Sequence, residues 1–299
     1  MKIIITGAKG QVGTDLVLEA KKRGHEIYGF TSSELDITSK QLVDASVAKI
    51  NPDVVINAAA YTAVDKAETE KNKAYAVNET GVKNLAEICK TLDIPLLHIS
   101  TDYVFDGNKK ESYTETDTPY PTSVYGASKL AGEIALQNTW QKHIILRVSW
   151  VFGEYGNNFV KTMLRLAKDR DELSVVNDQF GAPTSAKAIA ESLLDIASNT
   201  NFGKQDFPWG LYHFQSEPGV TWSEFAKEIF SQAKENGILD KKMIVNPIGS
   251  DQFPTPVTRP LNSKLDGCKI KKNLNVQLSE WRVAYLKECL ISNYNKLLD

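Results

Sequence analysis

KIIITGAKGQVGTDLVLEAKKRG, residues 2–24, decides the fold. A short β-branched run, KIIIT (2–6), leads into TGAKGQVG (6–13), and DLVLEAKKRG (15–24) follows with a helical pattern. Gly7, Gly10 and Gly13 therefore lie between a first strand and a first helix, with Gln11 and Val12 in the same loop. The spacing differs by one residue from G-x-G-x-x-G, but the physics is shared. Glycines permit the tight turn and let backbone N–H groups approach a pyrophosphate at a helix N-terminus. A glycine-rich turn without a ligand is the alternative reading. Position at the strand–helix junction favours the dinucleotide.

Outward from this unit the rhythm repeats. EIYGF (26–30), DVVINAA (53–59), PLLHIS (95–100) and IILRVSW (144–150) read as short strands. SKQLVDASVAKI (39–50) and ETGVKNLAEICKTL (79–92) read as helices between them. Strands apolar on both faces are what a parallel sheet covered by helices requires. The fold class expected is α/β, a Rossmann-type doubly wound parallel sheet with right-handed crossovers, followed by a smaller, mixed C-terminal domain. After about residue 152 the pattern is less regular. NFVKTMLRLAKDR (158–170), SAKAIAESLLDIAS (185–198) and TWSEFAKEIFSQAKENG (221–237) read as helices, the last opening with a capping threonine and a glutamate three residues on. NFGKQDFPWGLYHF (201–214) and the proline-rich NPIGSDQFPTPVTRPLNS (246–263) read as loops. There are no internal repeats.

Composition narrows the function classes. With 35 basic and 37 acidic residues and no block of like charge, the chain has no basic stripe of the kind nucleic acid demands. The three isoleucines near the N-terminus are too few for a signal-peptide core, and no apolar run reaches transmembrane length. Cys89, Cys268 and Cys289 are far apart and odd in number, as expected of reduced thiols in a cytoplasmic protein. The four histidines lack metal-ligand spacing, so no metal site of the His/Cys kind is expected.

VYGASKL (124–130) sets Tyr125 and Lys129 four positions apart, one face of a helix. Lysine is common enough that about one such pair arises by chance, so context must decide. The context is the glycine loop, NAAA (57–60), STDYVF (100–105) and YxxxK in that order. Together they resemble the extended short-chain dehydrogenase/reductase family. NAAAYTAVDKAE (57–68), HISTDYVFDG (98–107), NDQFGAPTSA (177–186) and PTPVTRPLNSKLD (254–266) are similar to one branch of it, the reductases of a dTDP-linked 4-keto-6-deoxyhexose that form dTDP-L-rhamnose. The likeness covers nearly the whole chain.

The resemblance implies Tyr125 as proton donor, Lys129 as anchor of the nicotinamide ribose and Thr101 as the hydroxyl that helps hold the substrate carbonyl. It implies cofactor contacts from Gly7, Gly10, Gln11, Val12, Gly13, Ala58, Ala59, Ala60 and Thr62. Substrate contacts would come from Val64, Thr101, Asp102, Phe105, Trp150, Asn158, Gln179 and Arg259. Simple core packing also accounts for the alanines and Trp150, and Arg259 could equally tie down its own loop. Residues 1–152 would form the NAD(P)-binding domain, rejoined by parts of 171–200 and the C-terminal helix, and 153–299 mainly the nucleotide-sugar-binding domain. A NAD-preferring site usually places a carboxylate at the end of the second strand. Thr31, Ser32 and Ser33 stand there, with Asp36 further on near the adenine, so NADPH is expected and NADH is possible. Some relatives dimerise through magnesium held by glutamates. Here Asp15 and Glu288 remain, but Lys187 stands where a glutamate would, and a cation repels the ion. No magnesium and a monomer or weak homodimer are expected. The alternatives are a dinucleotide-binding regulatory subunit of the methionine adenosyltransferase type, or a reductase or epimerase of another nucleotide sugar.

Overall fold

The computed structural model describes residues 1–298. Its first half builds five strands: β1 (Lys2–Thr6), β2 (Glu26–Phe30), β3 (Val54–Asn57), β4 (Leu96–Thr101) and β5 (His143–Val148). Six helices lie between them: α1 (Gln11–Lys22), α2 (Lys40–Ile50), α3 (Val64–Ala67), α4 (Lys71–Tyr75), α5 (Gly81–Thr91) and α6 (Val124–Thr139). All the pairings among these strands are parallel, with β1 between β2 and β3, then β4 and β5 beyond β3. Chain order reverses between β1 and β3, which opens a crevice at the carboxyl edge where such sheets bind ligands.

Alternation along the strands splits the core. Ile4, Val55, Leu96 and Ile145 face α2 and α5, packing on Val43, Val47, Val82 and Leu85. Ile3, Ile5, Val54, Ile56, Leu97, Ile144 and Leu146 pack on Leu16 and Ala20 of α1 on the other side. Each buried aliphatic side chain contributes roughly 1.5–3 kcal/mol. Helix α1 begins at Gln11, earlier than the apolar pattern indicated, because the last turn of the glycine loop is already helical. Gly13, a poor helix former, hides that start from a propensity reading.

The second half adds β6 (Val151–Phe152), α7 (Phe159–Asp169), β7 (Glu172–Val176), β8 (Phe180–Gly181), β9 (Thr184–Ser185) and α8 (Ala186–Ala197). After these come β10 (Gly210–His213), β11 (Val220–Thr221), α9 (Trp222–Glu235), β12 (Ile244–Ile248), α10 (Cys268–Leu274) and α11 (Lys287–Leu298). The expected loop at 201–214 is corrected: its end forms β10, which pairs in parallel with β5 and extends the main sheet to six strands. Pro208 and the aromatics around it masked a strand of only four residues, yet Tyr212 and His213 within it are buried. The expected loop at 246–263 likewise starts inside β12, parallel to β7. The capping box at Thr221 and Glu224 forms as its sequence signature indicates. Helix α8 packs its Ile189 and Leu193 into the same core as α1, and α7 and α9 share a second core around Phe152, Met163, Phe225 and Phe230.

Candidate active site

On the cofactor side, Gly7 has φ +70, and a Cβ on it would lie 2.6 Å from the Ala59 nitrogen. The loop is thus pressed against the Ala58–Ala59 backbone at the end of β3, which only glycine allows. Helix α1 has neither a side-chain cap nor an acidic residue in its first turn. Its positive dipole end is open to an anion such as a pyrophosphate. Gly10 is the N-cap, and Gln11, Val12 and Gly13 form the first turn. Ala60 and Thr62 continue from β3 toward α3, whose first residue is Val64. Asn78 fixes this segment, accepting from the Tyr61 N–H at 2.8 Å and donating to the Tyr61 carbonyl at 3.1 Å and the Ser128 hydroxyl of α6 at 3.0 Å.

Past β2, Thr31 and Ser32 stand as the sequence placed them, but an acid that the sequence reading passed over joins them. The Glu34 carboxylate folds back to accept from the Thr31 N–H at 2.9 Å and its hydroxyl at 2.7 Å. The Thr31 N–H and hydroxyl hold the Glu34 carboxyl below its ordinary pKa, and Lys9 of the glycine loop adds to this. Asp36 is occupied in a turn, accepting from the N–H and hydroxyl of Thr38.

The reacting groups gather at the carboxyl end of β4. Ser123 caps α6 by accepting from the Gly126 N–H. A Cβ at Gly126 would come within 2.1 Å of the Tyr103 carbonyl oxygen, so this glycine lets α6 dock directly on the turn after β4. That docking brings Tyr125 to Thr101, whose hydroxyl interacts with the phenol. Thr101 Oγ1 also donates to Asp102 Oδ1 at 3.0 Å. Burial raises the Tyr125 pKa above its ordinary value, and the Thr101 hydroxyl only partly offsets this. Lys129, four residues on, is not among the groups that shift it. Lys129 is 2% exposed and points inward, with Nζ donating to the Ile99 carbonyl at 2.6 Å and lying 3.3 Å from His98 Nε2. Burial pushes the Lys129 ammonium down to about 8, with Glu133 pulling the other way.

On the substrate side, Asp102 is 4% exposed and its Oδ2 has no hydrogen-bond partner. Burial pushes its carboxyl up to about 6, opposed by the Ser263 and Thr101 hydroxyls. Tyr103, absent from the sequence-derived set, packs its ring edge-on to Tyr125 at 5.5 Å and interacts with Arg259. Arg259 Nη2 donates to both oxygens of Asp65 in α3, at 2.8 and 2.7 Å, tying the C-terminal loop across the site. Trp150 has φ +48 and stacks on Trp222 with ring centroids 3.6 Å apart. A Cβ at Gly181 would meet the Trp150 indole at 2.3 Å, so the strained tryptophan sits where residue 181 has no side chain. Gln179 donates to the Ser250 hydroxyl at 2.9 Å, and its neighbour Phe180 is exposed.

Two expected substrate contacts are corrected. Phe105 is 1% exposed, stacked on Tyr113 at 4.1 Å with the Arg147 guanidinium 5.0 Å from its ring. It belongs to the core under the site. Asn158 is the N-cap of α7; its Oδ1 accepts from Lys161 N, while Nδ2 donates to the Gly153 carbonyl and to Gln11 Oε1. Its amide is spent joining α7 to the glycine loop. Lys187 pairs with Glu288 at 2.6 Å. Among the described residues no three His, Cys, Asp or Glu side chains gather as a metal site would need, and no helix is long and apolar enough to cross a membrane.

Comparison with known proteins gives a consistent result. Residues 1–294 match the family model of the RmlD substrate binding domain. A dTDP-4-dehydrorhamnose reductase of Aggregatibacter actinomycetemcomitans is 48% identical over 284 residues, covering 95% of this chain and 96% of the relative. The dTDP-4-dehydrorhamnose reductase of Escherichia coli K12 is 42% identical over 95% of each chain. Among solved structures, a dTDP-4-dehydrorhamnose reductase of Bacillus anthracis in complex with NADP superposes with a TM-score of 0.86 at 38% identity, covering 99% of this chain and 100% of that one.

Proposed function

Because the chain belongs to the RmlD substrate binding domain family, we propose that it is an NADPH-dependent oxidoreductase that reduces the 4-keto group of dTDP-4-dehydro-6-deoxy-L-mannose to give dTDP-L-rhamnose. The observation that carries the reading is the meeting of the Tyr125 phenol and the Thr101 hydroxyl at the carboxyl end of β4, next to a glycine loop open to an anion. When bound, NADPH supplies the hydride for the carbonyl carbon. Negative charge then grows on the carbonyl oxygen, and Tyr125 delivers its proton there while Thr101 orients the oxygen. The elevated phenol pKa suits a group that must arrive protonated as the acid of a reduction.

Gly7, Gly10, Gln11, Val12, Gly13, Ala58, Ala59, Ala60 and Thr62 hold the cofactor along the crevice, Thr31, Ser32 and Asp36 take its adenosine end, and Lys129 takes the nicotinamide ribose. Asp102 Oδ2, buried without a partner, supplies an acceptor for a sugar hydroxyl. Val64, Trp150, Gln179 and Arg259 line the nucleotide-sugar side, with Arg259 exchanging Asp65 for the diphosphate. In this reading residues 1–152, with parts of 171–200 and the C-terminal helix, serve the dinucleotide and the remainder mainly the sugar. The enzyme works in the cytoplasm as a monomer or weak homodimer without magnesium, and NADH replaces NADPH at some cost.

The test is turnover. The keto sugar is generated from dTDP-glucose by the preceding dehydratase and epimerase, and loss of reduced-nicotinamide absorbance is followed with NADPH and with NADH. Formation of dTDP-rhamnose is expected. Cofactor binding without any oxidation would reject the reading.

A further inference from the structure

Under Lys129 runs a row of polar side chains with no direct part in the reduction. Thr6 of β1, Asn57 of β3 and His98 of β4 are register partners on three adjacent strands. All three are at most 1% exposed. Thr6 Oγ1 donates to Asn57 Oδ1 at 2.6 Å, Asn57 Nδ2 meets His98 Nδ1 at 3.0 Å, and His98 Nε2 meets Lys129 Nζ at 3.3 Å.

One backbone group fixes the direction of the whole row. The Ala59 N–H lies 3.1 Å from Asn57 Oδ1, and a backbone N–H can only donate. The amide oxygen of Asn57 must therefore face Thr6 and Ala59, and its NH2 must face His98. His98 Nδ1 then accepts, so the neutral imidazole carries its hydrogen on Nε2, aimed at Lys129. An ammonium at Nζ would set donor against donor across that contact. A neutral amine, which offers a lone pair to Nε2–H while still donating to Ile99, satisfies every atom.

We propose that His98 is a positioning residue for the reaction, disfavouring the ammonium form of Lys129 through an Nε2–H that Thr6, Asn57 and the Ala59 backbone fix in direction, so that in alkaline solution cofactor binding is coupled to uptake of a proton at Lys129. The coupling rests on the reductase reading above, whereas the tautomer of His98 does not. The surrounding groups are consistent with this. Glu133, one turn along α6, favours the ammonium, but it is bound by Arg147 of β5 at 2.6 Å and by Ser100 of β4. Asp102, Tyr103 and Tyr125 lie at the mouth of the site, and His143 of β5 lies beyond His98. The turn before α5 presents the neutral Asn78 to α6. Burial, then the charges of Lys129 and His143, hold His98 well below its ordinary pKa.

Two measurements test the proposal. In cofactor-free protein at pH 7, long-range 1H–15N correlation of labelled histidine, assigned by loss of the signal in His98→Gln, is expected to show the Nε2–H tautomer for His98. An Nδ1–H tautomer or an imidazolium overturns the proposal whatever the enzyme reduces. NADPH affinity is then measured by fluorescence from pH 7 to 10, above the range of its 2′-phosphate. Wild type is expected to hold its affinity to about pH 8 and then lose up to about tenfold per pH unit. His98→Gln, which can turn a carboxamide oxygen to Nζ, moves that break up by about one unit. Asn57→Asp, whose carboxylate draws the imidazole hydrogen to Nδ1, moves it the same way and carries the test if His98→Gln does not fold. Affinity lowered equally at every pH, with the break unmoved in both variants, would make His98 a structural residue only.

Discussion

The two flanks of the crevice are built on opposite plans. On the cofactor flank each buried polar atom of the Thr6–Asn57–His98–Lys129 row has a partner, and the glycine loop is locked on the Ala58–Ala59 backbone. On the substrate flank Asp102 Oδ2 has none, Trp150 is held at φ +48, and Arg259 is paired with an aspartate of α3. A satisfied network is rigid because any movement leaves a buried group unpaired. An unsatisfied carboxylate and a replaceable ion pair instead store interactions that a ligand can complete. The difference assigns preorganisation to the dinucleotide and adaptation to the sugar.

The harshest way to break that contrast is at the point where the flanks meet. Tyr125→Phe removes the proposed proton donor but keeps the ring that packs edge-on to Tyr103. Turnover is expected to fall by about 10²–10⁴-fold, with NADPH affinity within about twofold of wild type. A loss of cofactor affinity as large as the loss of turnover would mean that the flanks are not separable.

Asp102 sharpens the contrast through stability. Its pKa rises from the ordinary 3.8 to about 6 on folding, chiefly by burial. Between those values the folded protein binds more protons than the unfolded chain, so stability is lost as pH rises through that window. By neutral pH the loss is on the order of 2–3 kcal/mol. Asp102→Asn should recover much of it while lowering turnover about tenfold. Denaturant melts at pH 4.5 and 7 would show the difference between the two pH values shrinking in the variant. An undiminished pH dependence would acquit Asp102 of this cost.

Arg259 is the next smaller step. Arg259→Ala is expected to raise the KM for the nucleotide sugar about 10–100-fold with little change in kcat, as loss of a charged ground-state contact does. Asp65→Asn works in the opposite direction. It frees the guanidinium from a competitor, so KM should fall a few-fold. If both variants raise KM equally, the Arg259–Asp65 pair is a strut and the adaptable flank is narrower than argued.

The sequence displayed the two flanks unequally, and for physical reasons. The β1–loop–α1 unit, the parallel strands and the YxxxK pair are local patterns, set by residues a few positions apart. Thr101, Tyr125 and Lys129 come together because Gly126 lets α6 close on the turn after β4, and that glycine lies inside the recognised motif. His98, Tyr103 and Asp65 were invisible as site residues because their roles depend on partners 31 to 194 positions away and, for Tyr103, on its fit against Tyr125 and Arg259. Phe105 and Asn158 misled for the reverse reason: Phe105 lies in a recognised segment and Asn158 opens an expected helix, but their neighbours in space are core and helix cap. Strand β10 escaped because four residues carry too little periodicity to outweigh the proline just before them.

Glu34 sets the smallest effect, at the far end of the rigid flank. The strand-end position that often carries an acid is Thr31 here, yet the Glu34 carboxylate returns to that very place by accepting from the Thr31 N–H and hydroxyl. A 2′-phosphate approaching Thr31 and Ser32 meets this negative charge, while the nearby Lys9 attracts it. The two influences oppose each other, as the proposed use of either cofactor requires. Glu34→Gln keeps an acceptor for the Thr31 N–H and deletes only the charge, so the turn should survive. The ratio of kcat/KM for NADPH over NADH is then expected to rise about three- to tenfold at low ionic strength. Near 0.5 M salt the gain should shrink, because charges at this exposed site are screened beyond a few ångströms. A ratio unchanged at low salt would place the adenosine end of the cofactor away from Thr31, and the rigid flank would end at the glycine loop.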